Sequence, residues 1–258
     1  MGTTKEDIKI FVDLHKNGIL DFSKKLSIAD MGTSQLHYTI SGKVGTMKSD
    51  KFEEFEDSLM SDVDFLKSVF ESLGKSETSL NGYYSGMLAQ KFYTDLGFDY
   101  IAIDLDTYND SSFVLKLDLN EEHCPSEHKG KHDLVVNHGT TEHLINQTNA
   151  FRIIHDLCKV NGVMVTTVPC FDINHGFFNY SPIFFRCLAR ANNYEIISHH
   201  IQNVYSNGEF QCAYNFSVMR KTSEAEFVQP SQVFESGIYN RDLSDKILYP
   251  RDDVIILT

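Results

Sequence analysis

Three apolar runs between Phe98 and Phe178, each ending abruptly in polar residues, constrain this chain more than any other feature. Phe98-Asp99-Tyr100-Ile101-Ala102-Ile103 runs into Asp104-Leu105-Asp106, and Asp133-Leu134-Val135-Val136 runs into Asn137-His138-Gly139-Thr140-Thr141-Glu142-His143. The third run is Gly162-Val163-Met164-Val165-Thr166-Thr167-Val168, which stops at Pro169. Near-continuous apolar strands separated by a helical period indicate a parallel sheet covered on both faces, because a strand with one wet face would alternate. Ligands of such sheets bind just past the carboxyl ends of the strands. Asp104, His138 and the segment after Pro169 are therefore expected to face one site.

Length and charge narrow the class. The 258 residues can build one large α/β domain or two small ones, and no Pro/Gly/Ser linker divides them, so one embellished domain is expected. Lys plus Arg number 23 against 36 Asp plus Glu, a formal charge of -13, which repels phosphate backbones and anionic membranes. A small molecule or peptide is the expected partner, with no nucleic acid and no membrane. The five cysteines, Cys124, Cys158, Cys170, Cys187 and Cys212, form no C-x-x-C pair and suggest a reducing, cytoplasmic setting. No run approaches membrane-spanning length, no signal peptide is read, and Met1-Gly2 lacks the Ser or Thr a myristoylation signal needs at Glu6.

Along the chain, Ile8, Phe11, Val12 and His15 share one face of a helix over residues 5–17 that stops at Gly18. Leu26 to Met31 reads as a short strand running into Gly32-Thr33-Ser34-Gln35, where backbone N–H groups could approach a ligand or simply turn. Phe52, Phe55, Leu59, Val63, Leu66, Phe70 and Leu73 recur at helical steps, with Asp50 and Glu53 as a capping pair. That predicts a helical insertion, a lid or an oligomerisation surface, after the first strand. A helix over 85–96 ends at Gly97, residues 113–117 form a strand, and a helix over 141–160 ends at Asn161-Gly162. The loop from Cys170 to Tyr180 carries aromatic residues, His175 and two asparagines before Ser181-Pro182 opens a helix. Residues 194–197 and 211–219 form a strand pair, residues 222–250 are irregular, and residues 253–257 add an edge strand.

From Ser27 to Arg220 this order of elements resembles the class I S-adenosylmethionine-dependent methyltransferases, with residues 42–80 inserted. Ala29-Asp30-Met31-Gly32-Thr33-Ser34-Gln35 looks like their first motif, Ile101-Ala102-Ile103-Asp104 like the acidic second, and Asp118-Leu119-Asn120 like the adenine-side third. Asn137-His138-Gly139 looks like the end of their fourth strand. The resemblance implies a doubly wound, mostly parallel, seven-stranded Rossmann-like sheet with an antiparallel final strand. It implies one domain over residues 1–220 and a packed C-terminal extension over 221–258. It also implies S-adenosylmethionine as cofactor, with Asp30, Gly32, Thr33, Ser34 and Gln35 at its methionine end and Asp104 with Leu105 at the ribose. Asp118 and Leu119 would lie at the adenine, and Asn137, His138 and Gly139 at the sulfonium side.

Methyl transfer from a sulfonium depends on positioning, and a hydroxyl or amine acceptor needs a base, for which imidazole suits neutral pH. His138, His143 and His175 are the candidate catalytic residues. Glu142 with these histidines could also ligate a metal, but the spacing follows no recognised ligand pattern and no metal is expected. Two other readings stay open: a methyltransferase-like scaffold without catalysis, and an oxidoreductase, disfavoured because no G-x-G-x-x-G follows the first strand.

Overall fold

The computed structural model describes residues 2–37, 44–48, 51–55, 62–75, 86–106, 112–206, 209–233 and 255–257. In chain order the elements are β1 (Gly2–Thr3), α1 (Lys5–Lys16), β2 (Ser27–Met31), β3 (Gln35–Leu36), β4 (Val44–Lys48), β5 (Lys51–Phe55), α2 (Asp62–Ser72), α3 (Gln90–Asp95) and β6 (Asp99–Asp104). They continue with β7 (Val114–Lys116), β8 (His132–His138), α4 (Gln147–Leu157), β9 (Cys158–Phe171), α5 (Pro182–Asn192), β10 (Glu195–Ser206), β11 (Glu209–Arg220), α6 (Pro230–Val233) and β12 (Ile255–Leu257). The chain divides into two compact units, Met1–Leu26 with Thr33–Ile101, and Ser27–Gly32 with Ala102–Thr258.

The second unit is built on the main sheet, whose strand order is β12-β10-β11-β9-β8-β2-β6-β7. β8 pairs parallel with both β2 and β9, and β6 pairs parallel with β7. β11 lies antiparallel between β9 and β10, and β12 adds a parallel edge to β10. This is the expected doubly wound α/β sheet with its late antiparallel strand, widened to eight strands by the C-terminal segment. Ile28, Ala29, Met31, Leu134, Val135, Val136, Val163 and Val165 are all fully buried, which is why these strands read as unbroken apolar runs.

Around α4 the element boundaries differ from those expected. The helix expected over 141–160 is a 3-10 turn at Thr141–His143 followed by α4, because the Asn146 side chain accepts the Asn149 N–H at 3.1 Å and caps the helix there. It ends at Leu157, where the buried Lys221 ammonium donates to the carbonyls of His155 (2.9 Å) and Cys158 (3.0 Å). A cation at a helix C-terminus answers both the orphan carbonyls and the dipole. β9 then starts at once at Cys158, four residues before the expected strand.

In the first unit, Thr4 and Asp7 form a capping box at the start of α1, and its buried face carries Ile8, Ile10, Phe11 and Leu14. Phe11, Phe22, Tyr93, Phe98 and Tyr100 make an aromatic cluster: Phe22 meets Phe98 edge-on at 5.4 Å, and Tyr93 stacks on Tyr100 at 5.4 Å. The helix expected across residues 50–73 is not continuous. Lys51–Phe55 is a strand paired antiparallel with Val44–Lys48, and among the described residues of that span the helix is Asp62–Ser72. Two phenylalanines three residues apart satisfy a helical spacing, but a partner segment immediately upstream gives five residues a complete ladder instead. Asp50 lies outside the described residues. Leu66, Phe70 and Leu73, the described part of the apolar stripe, are at most 1% exposed, and α2 packs on α1, which answers to the packing role open to such a stripe beside dimerisation. The helix expected from residue 85 starts only at Gln90, because Met87 O accepts the Leu36 N–H and Ala89 N–H donates to Ser34 O. No helix among the described residues is long and apolar enough to cross a membrane.

The α4 terminus also stores a pH response. His155 is 3% exposed; its Nε2 donates to Ala225 O (2.9 Å), so its Nδ1 accepts from Tyr194 Oη (2.6 Å). Burial, then the Lys221 charge, push this imidazole down to about 4 from 6.5, with Lys129 acting the same way and Asp156 opposing. The unfolded chain therefore binds a proton that the fold refuses between those values, and stability falls as pH drops through that window. Between pH 7 and 5 this one group costs about 2 kcal/mol. The fall in thermal midpoint between pH 7 and pH 5 should be smaller in His155→Gln than in the parent chain; equal falls would assign the response elsewhere.

Candidate functional site

The parallel register of β2 on β8 sets Ile28, Ala29 and Asp30 beside Leu134, Val135 and Val136, so both strands deliver their polar ends to the same edge. On one side the sheet continues through β6 and β7, on the other through β9. The strand order therefore reverses between β2 and β8, and the crevice beyond such a reversal is where open α/β sheets take ligands.

Several bonds hold the strand ends together. Gly32 N–H donates to Ile103 O at 2.7 Å, which sets Gly32 beside the residue preceding Asp104. Across the reversal, the Thr140 hydroxyl donates to Met31 O. A Cβ on Gly32 would lie 2.5 Å from Thr140 Oγ1, and Gly32 has φ +81°, so this position requires glycine twice over. The space into which that Cβ would project is taken by the chain's own threonine. Asp104 is half-buried, its Oδ1 accepts the Asp106 N–H at 3.1 Å, and Leu105 next to it is 60% exposed. Asp30 is fully buried.

Asp118, Leu119 and Asn120 form a turn fastened to the start of α4. Asp118 Oδ1 accepts the Asn120 N–H (2.8 Å), and Asn120 Oδ1 accepts the N–H groups of Ile145 and Asn146 (2.9 and 3.1 Å). Asn149 Nδ2 donates to Leu119 O and Glu122 O. Asn137 has a comparable scaffolding role: its Oδ1 accepts from the N–H groups of Thr140 and Thr141, and its Nδ2 donates to Thr141 Oγ1 at 2.9 Å. Gly139 takes φ +79° to let the chain fold back into this turn. Thr33, Ser34 and Gln35 belong to the first unit, where Ser34 O accepts from Ala89 N–H and Gln35 pairs with Gly2.

The expected histidines do not form one group. His143 and His175 come together, ring centroids 5.1 Å apart, with the Glu142 carboxylate between the two loops that carry them. His138, the last residue of β8, is 2% exposed, lies in register with Thr167 and is not part of that cluster. Glu142 itself is fully buried, and desolvation pushes its carboxyl up to about 7. Its carbonyl accepts the N–H groups of Phe177 and Phe178 (2.7 and 3.2 Å), which fastens the 170–180 loop to the post-β8 turn. The neck of that loop is closed by Asp172 and Asn179, each bonded to the other, and by Tyr180 N–H on Pro169 O. Tyr180 Oη reaches Thr141 Oγ1 and Gln147 Oε1 (3.1 and 2.5 Å). Thr140, Thr141, Gln147 and Tyr180 carry no site signal in the sequence beyond the crowding of polar types past β8, whereas Glu142 stands out there as a possible metal ligand beside the histidines.

No protein-family model and no curated protein sequence matches the chain. Several solved structures are similar to it. A Burkholderia thailandensis 1,6-didemethyltoxoflavin N1-methyltransferase, solved with 1,6-didemethyltoxoflavin and S-adenosylhomocysteine, aligns over 84% of this chain and 87% of its own at 11% identity and a TM-score of 0.45. A Leishmania major SAM-dependent methyltransferase aligns over 82% of this chain and 72% of its own, at 11% identity and a TM-score of 0.44. The trans-methyltransferase CalH, solved with SAH, aligns over 83% of this chain and 55% of its own length, at 13% identity and a TM-score of 0.43. The fold and the site described above rest on this chain's own strand order and contacts.

Proposed function

We propose that this protein transfers a methyl group from S-adenosylmethionine to a small-molecule acceptor at the crevice where the sheet order reverses. The observation that carries this reading is the placement of Asp104 one residue past the Gly32–Ile103 bond, at the carboxyl edge beside the reversal. A half-buried carboxylate there is suited to accept hydrogen bonds from both ribose hydroxyls, and the exposed Leu105 offers an apolar surface to a purine. The turn at Asp118–Asn120, fastened to α4, forms the far wall for the base. These residues fit the cofactor at its nucleoside end.

When bound, the cofactor supplies an electrophilic methyl on sulfur. The chain's own part is to bind, orient and exclude water, since positioning supplies much of the rate in an in-line displacement. The exposed apolar tip of the 170–180 loop, Ile173 at 79% and Phe177 at 68%, supports an acceptor-facing role for that loop. His143 and His175 are the groups suited to take a proton from a hydroxyl or amine acceptor there. The charge of -13 supports a small acceptor over a nucleic acid.

A second reading, a binding module on this scaffold without catalysis, is favoured by Thr140 filling the space above Gly32. Thermal shifts with S-adenosylmethionine, S-adenosylhomocysteine and NAD in parallel separate the two, because only a bound ligand raises the midpoint. Asp104→Ala should weaken S-adenosylhomocysteine binding about tenfold by calorimetry, the scale of a charge-assisted bond; an unchanged dissociation constant removes Asp104 from the ribose. Gly32→Ala should cost about 1–3 kcal/mol through its φ and its clash. Adding Thr140→Ala should restore part of that loss, and a strictly additive double variant would mean that Thr140 is not the group that clashes.

A further inference from the structure

We propose that Glu142, His143 and His175 bind one divalent transition-metal ion, of the zinc, manganese or iron class, through the Glu142 carboxylate and one ring nitrogen of each histidine. Donor atoms from the three residues lie within 4.8 Å of one another, and His175 Nε2 stands 3.3 Å from Glu142 Oε1. Two ligands each about 2.1 Å from one ion are separated by about 3.0–3.5 Å, so this pair already has the spacing of a shared ion. His143, whose side chain is exposed, is the member that would move to close the remaining gap.

An independent observation points the same way. Glu142 is fully buried, and among the described residues no other residue donates a hydrogen bond to either carboxylate oxygen; the His175 ring is its one ion-pair contact there. A buried carboxylate is costly unless it is paired and hydrogen-bonded or coordinates a metal. The backbone around it is fixed. Gly176 takes φ +68°, and a Cβ there would meet Glu142 Cγ at 2.8 Å, so the residue after His175 is packed directly on the carboxylate's own side chain. With Phe177 and Phe178 N–H groups on Glu142 O, His175 is delivered to Glu142 by a short, double-bonded bridge. Imidazole and carboxylate together suit zinc, manganese and iron better than magnesium or calcium, which favour oxygen alone.

Three protein ligands leave positions on the ion for water or for a ligand, the arrangement of reactive metal centres, whereas structural zinc sites are closed by four. The half-exposed rings put those positions at the rim of the same edge. Where the methyl-transfer reading holds, and this clause rests on it, the acceptor would carry a hydroxyl, carboxylate or amine able to bind the ion, and the ion would stand in for His143 and His175, whose ligating nitrogens could then no longer take a proton.

The test uses the full chain stripped with a chelator and dialysed, then titrated separately with zinc, manganese, cobalt and magnesium chlorides by calorimetry, with the visible spectrum of cobalt recorded. One equivalent of a transition metal should bind, with a cobalt spectrum that shows nitrogen ligation and with magnesium binding far more weakly. His143→Ala and His175→Ala change exposed or half-exposed rings and should keep the parent's circular dichroism, yet each should weaken binding by at least about tenfold. Glu142→Gln, checked for folding in the same way, should do likewise. Failure of the parent chain to bind any of the transition metals overturns the site and leaves a plain Glu142–His175 ion pair; so does binding that neither histidine variant weakens. S-adenosylhomocysteine affinity measured on the stripped protein keeps the two readings apart, since its loss bears on methyl transfer alone.

Discussion

The parallel pairing of β2 with β8 is the constraint on which the second unit depends. It is the point from which the sheet grows in both directions, so the backbone past each strand must leave toward opposite sides and a gap must open between the departures. Nothing in the side chains needs to create that gap. What they must do is stop it collapsing or splaying, and the Thr140 hydroxyl on Met31 O, with Gly32 N–H on Ile103 O, performs that task. The glycine is demanded by the first of these bonds as much as by its own φ, so a position that would ordinarily be reserved for a ligand is fixed here by the protein's architecture.

The core of the sheet was legible because burial on both faces leaves a sequence no freedom: Leu134 to Val136 and Val163 to Val165 must be apolar, and they are. The ends of helices were less so. Nothing in the period of Ala150, Ile153, Ile154 and Leu157 says where α4 begins, since that is decided by Asn146 acting as a cap and by Asn137 holding Thr140 and Thr141 in a separate turn. Both are long-range or directional hydrogen bonds, and hydrophobic periodicity carries no record of them. The strand at Lys51–Phe55 was missed for a related reason, because pairing with Val44–Lys48 is a property of two segments and the helical reading considered one.

The candidate site divides along the same line. The strand-end position of Asp104 was legible, since it is the first acid after an apolar run that had to be a strand. Asn137 was legible as a strand end, while the engagement of its amide with the turn it starts was not. His138, His143 and His175 read alike in sequence, and only the fold separates a strand-end residue at 2% exposure from two ring-to-ring neighbours on facing loops. Glu142 was legible as a companion of these histidines, since it directly precedes His143, but its complete burial was not, because that depends on the 170–180 loop packing against it.

That folding-over has a consequence for the polar groups of the turn. Thr141 Oγ1 is bonded to Asn137 Nδ2 and to Tyr180 Oη, Tyr180 Oη also reaches Gln147, and Gln147 Nε2 donates to the carbonyls of Thr141 and Leu144. Asn215 Nδ2 holds Tyr180 O from β11. Each neutral member of this network has a partner, as buried polar groups must to be tolerated. The one charged member does not share in it: the Glu142 carboxylate is enclosed by the same loop yet receives none of these donors. A network that supplies amides and hydroxyls to one another while leaving its carboxylate to two imidazoles has sorted its donors by kind, and the sorting leaves Glu142, His143 and His175 as a group with chemistry of its own.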